Sequence, residues 1–141
     1  LLHAGHLHYV EQAKALGDEL VVVVAHDDTV RKQKHEPVTS QELRCRMVQG
    51  LKPVDTAIIG NPPTMPIYEI LETVKPDIIA LGYDQKHSLD SIKNGLKENG
   101  WNDVEVIRVE GLADDLDGTR KIIAKILRLW SGETGGPYEE D

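Results

Sequence analysis

Apolar and polar positions follow two periods along this chain, one helical and one continuous, and the two take turns. Leu7, Val10, Ala13 and Leu16 recur at helical spacing, and Gly17 fits the stop. Leu20-Val21-Val22-Val23-Val24-Ala25 is unbroken and largely β-branched, the pattern of a strand covered on both faces by helices. A polar loop is expected from His26 to Val38. Thr39 with Glu42 reads as a capping box. It opens a helix with the stripe Leu43, Met47, Val48 and Leu51, which Pro53 ends. Thr56-Ala57-Ile58-Ile59-Gly60 is a short strand, and Pro66 suits a first helical turn. Ile67, Ile70, Leu71 and Val74 form the stripe of that helix, closed by Pro76. Ile78-Ile79-Ala80-Leu81-Gly82 is another buried strand, and Leu89, Ile92 and Leu96 mark a helix ending near Gly100. Val104, Val106 and Val109 alternate as a strand nearer a sheet edge, and Ile122, Ile123, Ile126, Leu127 and Trp130 give a last helix.

Strands alternating with helices predict an α/β fold, one parallel sheet with helices on both faces and right-handed crossovers. Ligands of such sheets sit at the carboxyl ends of the strands, at the topological switch point. The His-containing motif at residues 3–6 should follow a strand, yet it begins two residues into the sequence. The expectation is therefore a five-stranded sheet whose first, central strand is missing from this chain by N-terminal truncation. Residues 1–130 read as one domain without internal repeats. Residues 131–141 are Gly-rich and then acidic, and are expected to be a disordered tail.

With 141 residues, 40% hydrophobic and 28% charged, the chain is long enough and apolar enough for a real core. It has no Phe, so that core must be aliphatic. A net charge of −8 argues against a nucleic-acid partner, because a duplex binder needs a basic face. A local cluster of cations would still serve a nucleotide. Cys45 is the single cysteine, which excludes an intrachain disulfide and points to a reducing, cytoplasmic setting. No apolar stretch approaches the roughly 20 residues that span a membrane.

His3-Ala4-Gly5-His6 is the most informative motif. Two imidazoles and the backbone N–H groups of a helix N-terminus attract phosphate through unsatisfied donors and the helix dipole. The spacing of three brings both rings to one side of the first turn, and Gly5 lets a phosphate approach the backbone. The rival reading is a capped helix with two surface histidines. Metal binding is weaker, for want of a third ligand nearby.

Arg31-Lys32-Gln33-Lys34 is either a solvated charge run or a mobile cationic loop at the carboxyl end of a buried strand, poised to close over phosphates. Arg44 and Arg46 read as exposed, with Cys45 packed between them. Gly82-Tyr83-Asp84-Gln85 is a polar turn or a nucleotide contact from Asp84. Gly118-Thr119-Arg120-Lys121 places two cations in the first turn of a helix, against its dipole, at a cost of about 0.3–1 kcal/mol each. A bound anion would relieve that conflict, and Thr119 is equally a cap or a phosphate donor. Asp114, Asp115 and Asp117 could instead balance the charge locally.

Together these motifs, in this order and with Glu42-Leu43-Arg44 among them, resemble the cytidylyltransferase-like nucleotidyltransferases over nearly the whole chain to about Trp130. The segments Gly17–Ala25, Leu51–Asp55 and Lys75–Gln85 resemble the archaeal FAD synthase branch most. Glycerol-3-phosphate cytidylyltransferases are similar but more distant, and a non-catalytic nucleotide-binding module is the rival from another class. The resemblance implies a Rossmann-like, doubly wound fold and adenylyl or cytidylyl transfer with release of pyrophosphate. It implies ATP and FMN as substrates, a divalent metal such as magnesium, and the homodimers common in the family. His3, His6, Lys34 and Thr119 would be catalytic. Nucleotide binding would fall to His3, Ala4, Gly5, His6, Lys32, Arg44, Gly82, Asp84, Leu112, Gly118, Thr119 and Lys121. The family's strand ending in Gly-Thr-Phe-Asp is absent, and Gly118 and Arg120 replace hydroxyl residues common in the last motif.

Overall fold

The computed structural model describes residues 2–82, 89–112 and 118–131. Six helices and four strands alternate within them: α1 (Ala4–Ala15), β1 (Val21–Val24), α2 (Asp27–Gln33), α3 (Gln41–Gln49), β2 (Thr56–Ile59), α4 (Ile70–Val74), β3 (Ile78–Leu81), α5 (Leu89–Glu98), β4 (Glu105–Arg108) and α6 (Thr119–Trp130). A 3-10 turn, Ile67–Glu69, leads into α4, with Pro66 as its N-cap rather than in its first turn. The expected α/β order holds in every strand and in five helices.

The helix sequence reading missed is α2, laid over the expected polar loop. His26 caps it by accepting from the Asp28 N–H at 3.1 Å. Asp27 and Asp28 occupy its first turn, and Arg31 and Lys32 its last, so charge complements the dipole at both ends. That pattern, and the four-residue spacings Asp27/Arg31 and Asp28/Lys32, was the available signal. The cap of α3 also shifts by one residue. Ser40 Oγ, not Thr39, accepts from the Leu43 N–H, and Leu43 at the third helical position cannot return a bond, so the cap is single.

The strands form two parallel pairs, β1 with β2 and β3 with β4, instead of one continuous sheet. Each of β1 and β3 pairs along one edge among the described residues, so hydrogen bonding does not run from one pair to the other. The core gathers on the second pair: Leu71, Leu81, Ile92, Leu96 and Val106 form one buried cluster, with Tyr68, Trp101 and Val104 packed against it. Around the first pair burial is thinner. Val23 is 44% exposed, so β1 is not covered on both faces as expected. Leu43 (51%) and Met47 (42%) border an open apolar groove with Leu2 and Leu51, because α3 turns only part of its stripe toward the strands. The apolar positions of α6 likewise remain largely exposed. Among the described residues no helix is long and apolar enough to cross a membrane.

Candidate functional site

Helix α1 bonds to both strand pairs, from its middle and from its C-terminal end. At its C-terminal end Lys14 Nζ meets Asp55 Oδ2 at 2.6 Å, and the same carboxylate accepts from the Leu20 N–H at 2.7 Å, just ahead of β1 and β2. Further toward its N-terminus, Tyr9 donates its hydroxyl to Ala80 O in β3, and Gln12 Oε1 accepts from the Glu110 N–H beyond β4. Twelve residues of helix span about 18 Å. The tethers therefore orient α1 against the strands, with its histidine end on the Tyr9 side.

The Lys14 ammonium, then the Leu20 N–H, hold the Asp55 carboxyl below its ordinary value, against the opposing effect of desolvation. A depressed carboxyl contributes stability above its unfolded value and loses it as pH falls through the folded one. The Asp55→Asn variant is thus expected to be less stable than wild type at neutral pH, with the gap closing below about pH 4. Urea unfolding from neutral to acidic pH measures it; a gap independent of pH would refute the charge assignment.

The first turn of α1 is closed by its own histidines. His3 Nδ1 accepts from the Gly5 N–H at 3.1 Å, and His6 Nδ1 accepts from the His3 N–H at 3.3 Å, a reciprocal box made of imidazoles. The ring centroids lie 4.0 Å apart. Backbone donors that sequence reading left open for phosphate are in part occupied by the rings. This arrangement assigns the proton of each neutral ring to Nε2, because an accepting Nδ1 carries none. Each imidazole presents an N–H donor on the side opposite its cap, the group an anionic oxygen requires. His3 is half-buried and His6 exposed.

At the carboxyl end of β1, α2 and its C-cap carry the lysines. Lys32 and Lys34 are exposed, and neither has an ion-pair or hydrogen-bond partner among the described residues. Arg31 differs, since its guanidinium bridges Asp28 at 2.8 Å and Glu36 at 3.1 Å. Arg44 is not an exposed side chain. Its Nη1 donates to Thr39 O, its Nη2 donates to Ala25 O at 2.6 Å, and Nη2 pairs with Asp27 Oδ1 at 2.9 Å. The Asp27 N–H in turn donates to Gln41 Oε1 at 2.8 Å. Burial raises the Asp27 carboxyl, but the Gln41 backbone N–H and the Arg44 and Arg31 guanidinium groups outweigh it and hold the group below its ordinary value.

Gly82 follows β3 and its carbonyl accepts from Arg108 Nη1 at 2.8 Å, joining the carboxyl ends of β3 and β4. Leu112 lies just past β4, half-buried. Gly118 caps α6 with extended backbone and no side-chain bond, so Thr119 is the first helical residue and does not cap. Arg120 and Lys121 stand in that first turn, which holds no acidic side chain. Asp84, Tyr83, Asp114, Asp115 and Asp117 lie outside the described residues, as does the chain beyond Ser131. Through Tyr9 and Gln12 the histidine-bearing helix thus contacts β3 and the exit of β4, beside which Gly82 lies, while Lys32 and Lys34 follow the carboxyl end of β1. Sequence reading missed Tyr9, Gln12 and Arg108, the residues that make these ties. No local pattern could have found them, since each acts on a backbone atom at least 26 positions away. Among the described residues no three His, Cys, Asp or Glu side chains cluster as a metal site.

A family model described as cytidylyltransferase-like matches residues 1–120. An FAD synthase of Aciduliprofundum boonei is 48% identical over 128 residues, 90% of this chain and 84% of that protein. The FAD synthase of Thermococcus onnurineus is 48% identical over 132 residues, 92% of this chain and 87% of its own length. Among solved structures, the lipopolysaccharide core biosynthesis protein from Thermoplasma volcanium superposes with a TM-score of 0.75 at 39% identity, covering 79% of this chain and 89% of that one.

Proposed function

This chain belongs to the cytidylyltransferase-like family, and we propose that within it the chain performs the reaction named for its relatives, FAD synthesis. It is a nucleotidyltransferase that moves AMP from ATP to FMN. A phosphate oxygen of FMN attacks the α-phosphorus of ATP in line, the new O–P bond forms, and the bond to the bridging oxygen breaks as pyrophosphate leaves. Identity of 48% over nine-tenths of the chain to an FAD synthase carries this reading. The site supports it, because the histidine end of α1 and two lysines without a partner among the described residues offer donors and positive charge to a polyanion on a net-negative protein.

In this reading His3 and His6 donate from Nε2 to the phosphoryl oxygens, with Ala4 and Gly5 lining the approach. Lys32 and Lys34 neutralise the triphosphate, Lys34 as charge shifts toward the leaving pyrophosphate. Thr119, with Gly118 and Lys121, meets phosphate at the start of α6, while Gly82, Asp84 and Leu112 border the base and ribose. Catalysis is positioning and charge stabilisation, with no covalent intermediate. The described residues do not build a protein cage for a cation. A divalent metal such as magnesium would come with ATP as its counter-ion and would add positive charge at the phosphates. Among the described residues β1 and β3 each have one edge without a strand partner, and a further parallel strand between them would unite the pairs into one five-stranded, doubly wound sheet. A cytoplasmic protein, acting as a homodimer, is the setting this reading assumes.

The test is FAD formation from FMN and magnesium-ATP, followed by chromatography and pyrophosphate release. The expected result is equimolar FAD and pyrophosphate. CDP-glycerol formed from CTP and glycerol 3-phosphate would reassign the acceptor and keep the family. Nucleotide binding without turnover would make the chain a binding module.

A further inference from the structure

We propose that Arg44 is a positioning residue, which with Asp27 and Gln41 clasps the lysine-bearing helix α2 onto the start of α3, and that it acts on the reaction through Lys34 rather than by touching phosphate. The proposal rests on the nucleotidyltransferase reading above, in which the lysines face the triphosphate.

Helix α2 needs an external hold. It has seven residues, and isolated helices of that length are marginal in water. None of its residues is buried, so apolar packing does not place it. Beyond it, the chain from Lys34 to Glu36 is exposed as well. The described tertiary bonds that tie α2 down converge on its first turn. Asp27 gives its N–H to the Gln41 side chain at 2.8 Å and its carboxylate to Arg44 at 2.9 Å. Arg44 meanwhile holds Ala25 O, before the helix, and Thr39 O, after the loop. One guanidinium thus joins both ends of the lysine-bearing excursion, 14 positions apart, to the helix that packs on β1 and β2. A planar fork reaches these separated acceptors from two nitrogens at once, whereas the three donors of an ammonium radiate from one.

The engagement of Arg44 also argues against a direct ligand role. Its described bonds go to two backbone carbonyls and one carboxylate, and its side chain is only 21% exposed. Asp27 Oδ1 is buried and meets the guanidinium as an ion pair without an aligned hydrogen bond, so withdrawing Arg44 toward a phosphate would strand that oxygen. Lys32 and Lys34 carry no such obligation among the described residues.

The test uses the full chain and four variants: Arg44→Ala, Arg44→Lys, Asp27→Asn and Lys34→Ala, with the Arg44→Ala/Lys34→Ala double. Nitrogen-15 relaxation of Val30–Lys34 is expected to fall from order parameters of about 0.85 toward 0.6 or below in Arg44→Ala, while Arg44–Gln49 amides in α3 stay rigid. FAD synthesis should lose about tenfold or more in kcat with ATP affinity changed by less than about threefold, and Arg44→Lys should recover only part of it. Lys34→Ala should cost at least about fivefold less in the Arg44→Ala background than in wild type, as residues acting through one another require. Should Arg44→Ala fail to fold, Asp27→Asn, which keeps the shape and removes the charge, is expected to shift the same readouts in the same direction. Additive losses, or an α2 that stays rigid, would overturn the proposal. An ATP affinity that falls as far as kcat would overturn it too, by making Arg44 a phosphate contact. If the wild type makes no FAD, the functional reading fails by itself, and the relaxation data still decide whether Arg44 holds α2.

Discussion

Replacing His6 with alanine is expected to lower kcat for FAD formation by about 100- to 1,000-fold, the cost of one preorganised donor at developing negative charge. ATP affinity should fall by far less, because a donor that strengthens only as the leaving group departs affects turnover more than binding. The fold should survive. His6 Nδ1 accepts the His3 N–H, so the variant loses half of the imidazole box, and a lost cap costs about 1 kcal/mol. The Tyr9, Gln12 and Lys14 tethers hold the rest of α1 in place. Steady-state kinetics alongside thermal unfolding separate the two contributions. A variant whose turnover and ATP affinity decline in parallel would show that His6 binds the ground state only. One that keeps full turnover would remove His6 from the mechanism.

Shortening Leu96 to alanine is expected to cost about 2–5 kcal/mol of stability, the range for buried leucines left with a partly collapsed cavity. The side chain is 1% exposed and belongs to the cluster of Leu71, Leu81, Ile92 and Val106. That cluster seats α4 and α5 on β3 and β4, whose carboxyl ends position Gly82 and receive the Tyr9 and Gln12 tethers. The upper half of the range is the better expectation, because Tyr68 and Trp101 are too rigid to close a leucine-sized void. Urea titration should show a lower midpoint at an unchanged slope. The control is Leu43→Ala. Leucine there is 51% exposed, so it removes little buried surface and should cost well under half as much. Equal costs at the two positions would mean that the core does not centre on the second strand pair.

Much of the candidate site was legible because its chemistry is local. A His-x-Gly-His run at a helix start needs only the three-residue spacing, and the structure adds what spacing cannot, the reciprocal Nδ1 caps that fix which nitrogen of each ring carries the proton. Lys32 and Lys34 were legible as cations after a strand, but not as part of a helix and its cap, because histidine at position 26 is an uncommon cap and hid the start of α2. Arg44 was the least legible. Sequence offers it as a surface arginine or, by resemblance, as a nucleotide contact, and its actual acceptors are backbone carbonyls at positions 25 and 39.

Periodicity and β-branching in the sequence were by themselves enough to specify the strands, five of the helices and the identity of the charged and imidazole groups, since these depend on neighbours within about one or two turns. Tertiary structure alone decided the division into two strand pairs, the concentration of the core around Leu96, the anchoring of α1 to both pairs and the engagement of Arg44. The physical reason is the same in each case. Those features are hydrogen bonds and contacts between segments far apart along the chain, and they exist only once the backbone carbonyls and apolar faces they join have been brought together.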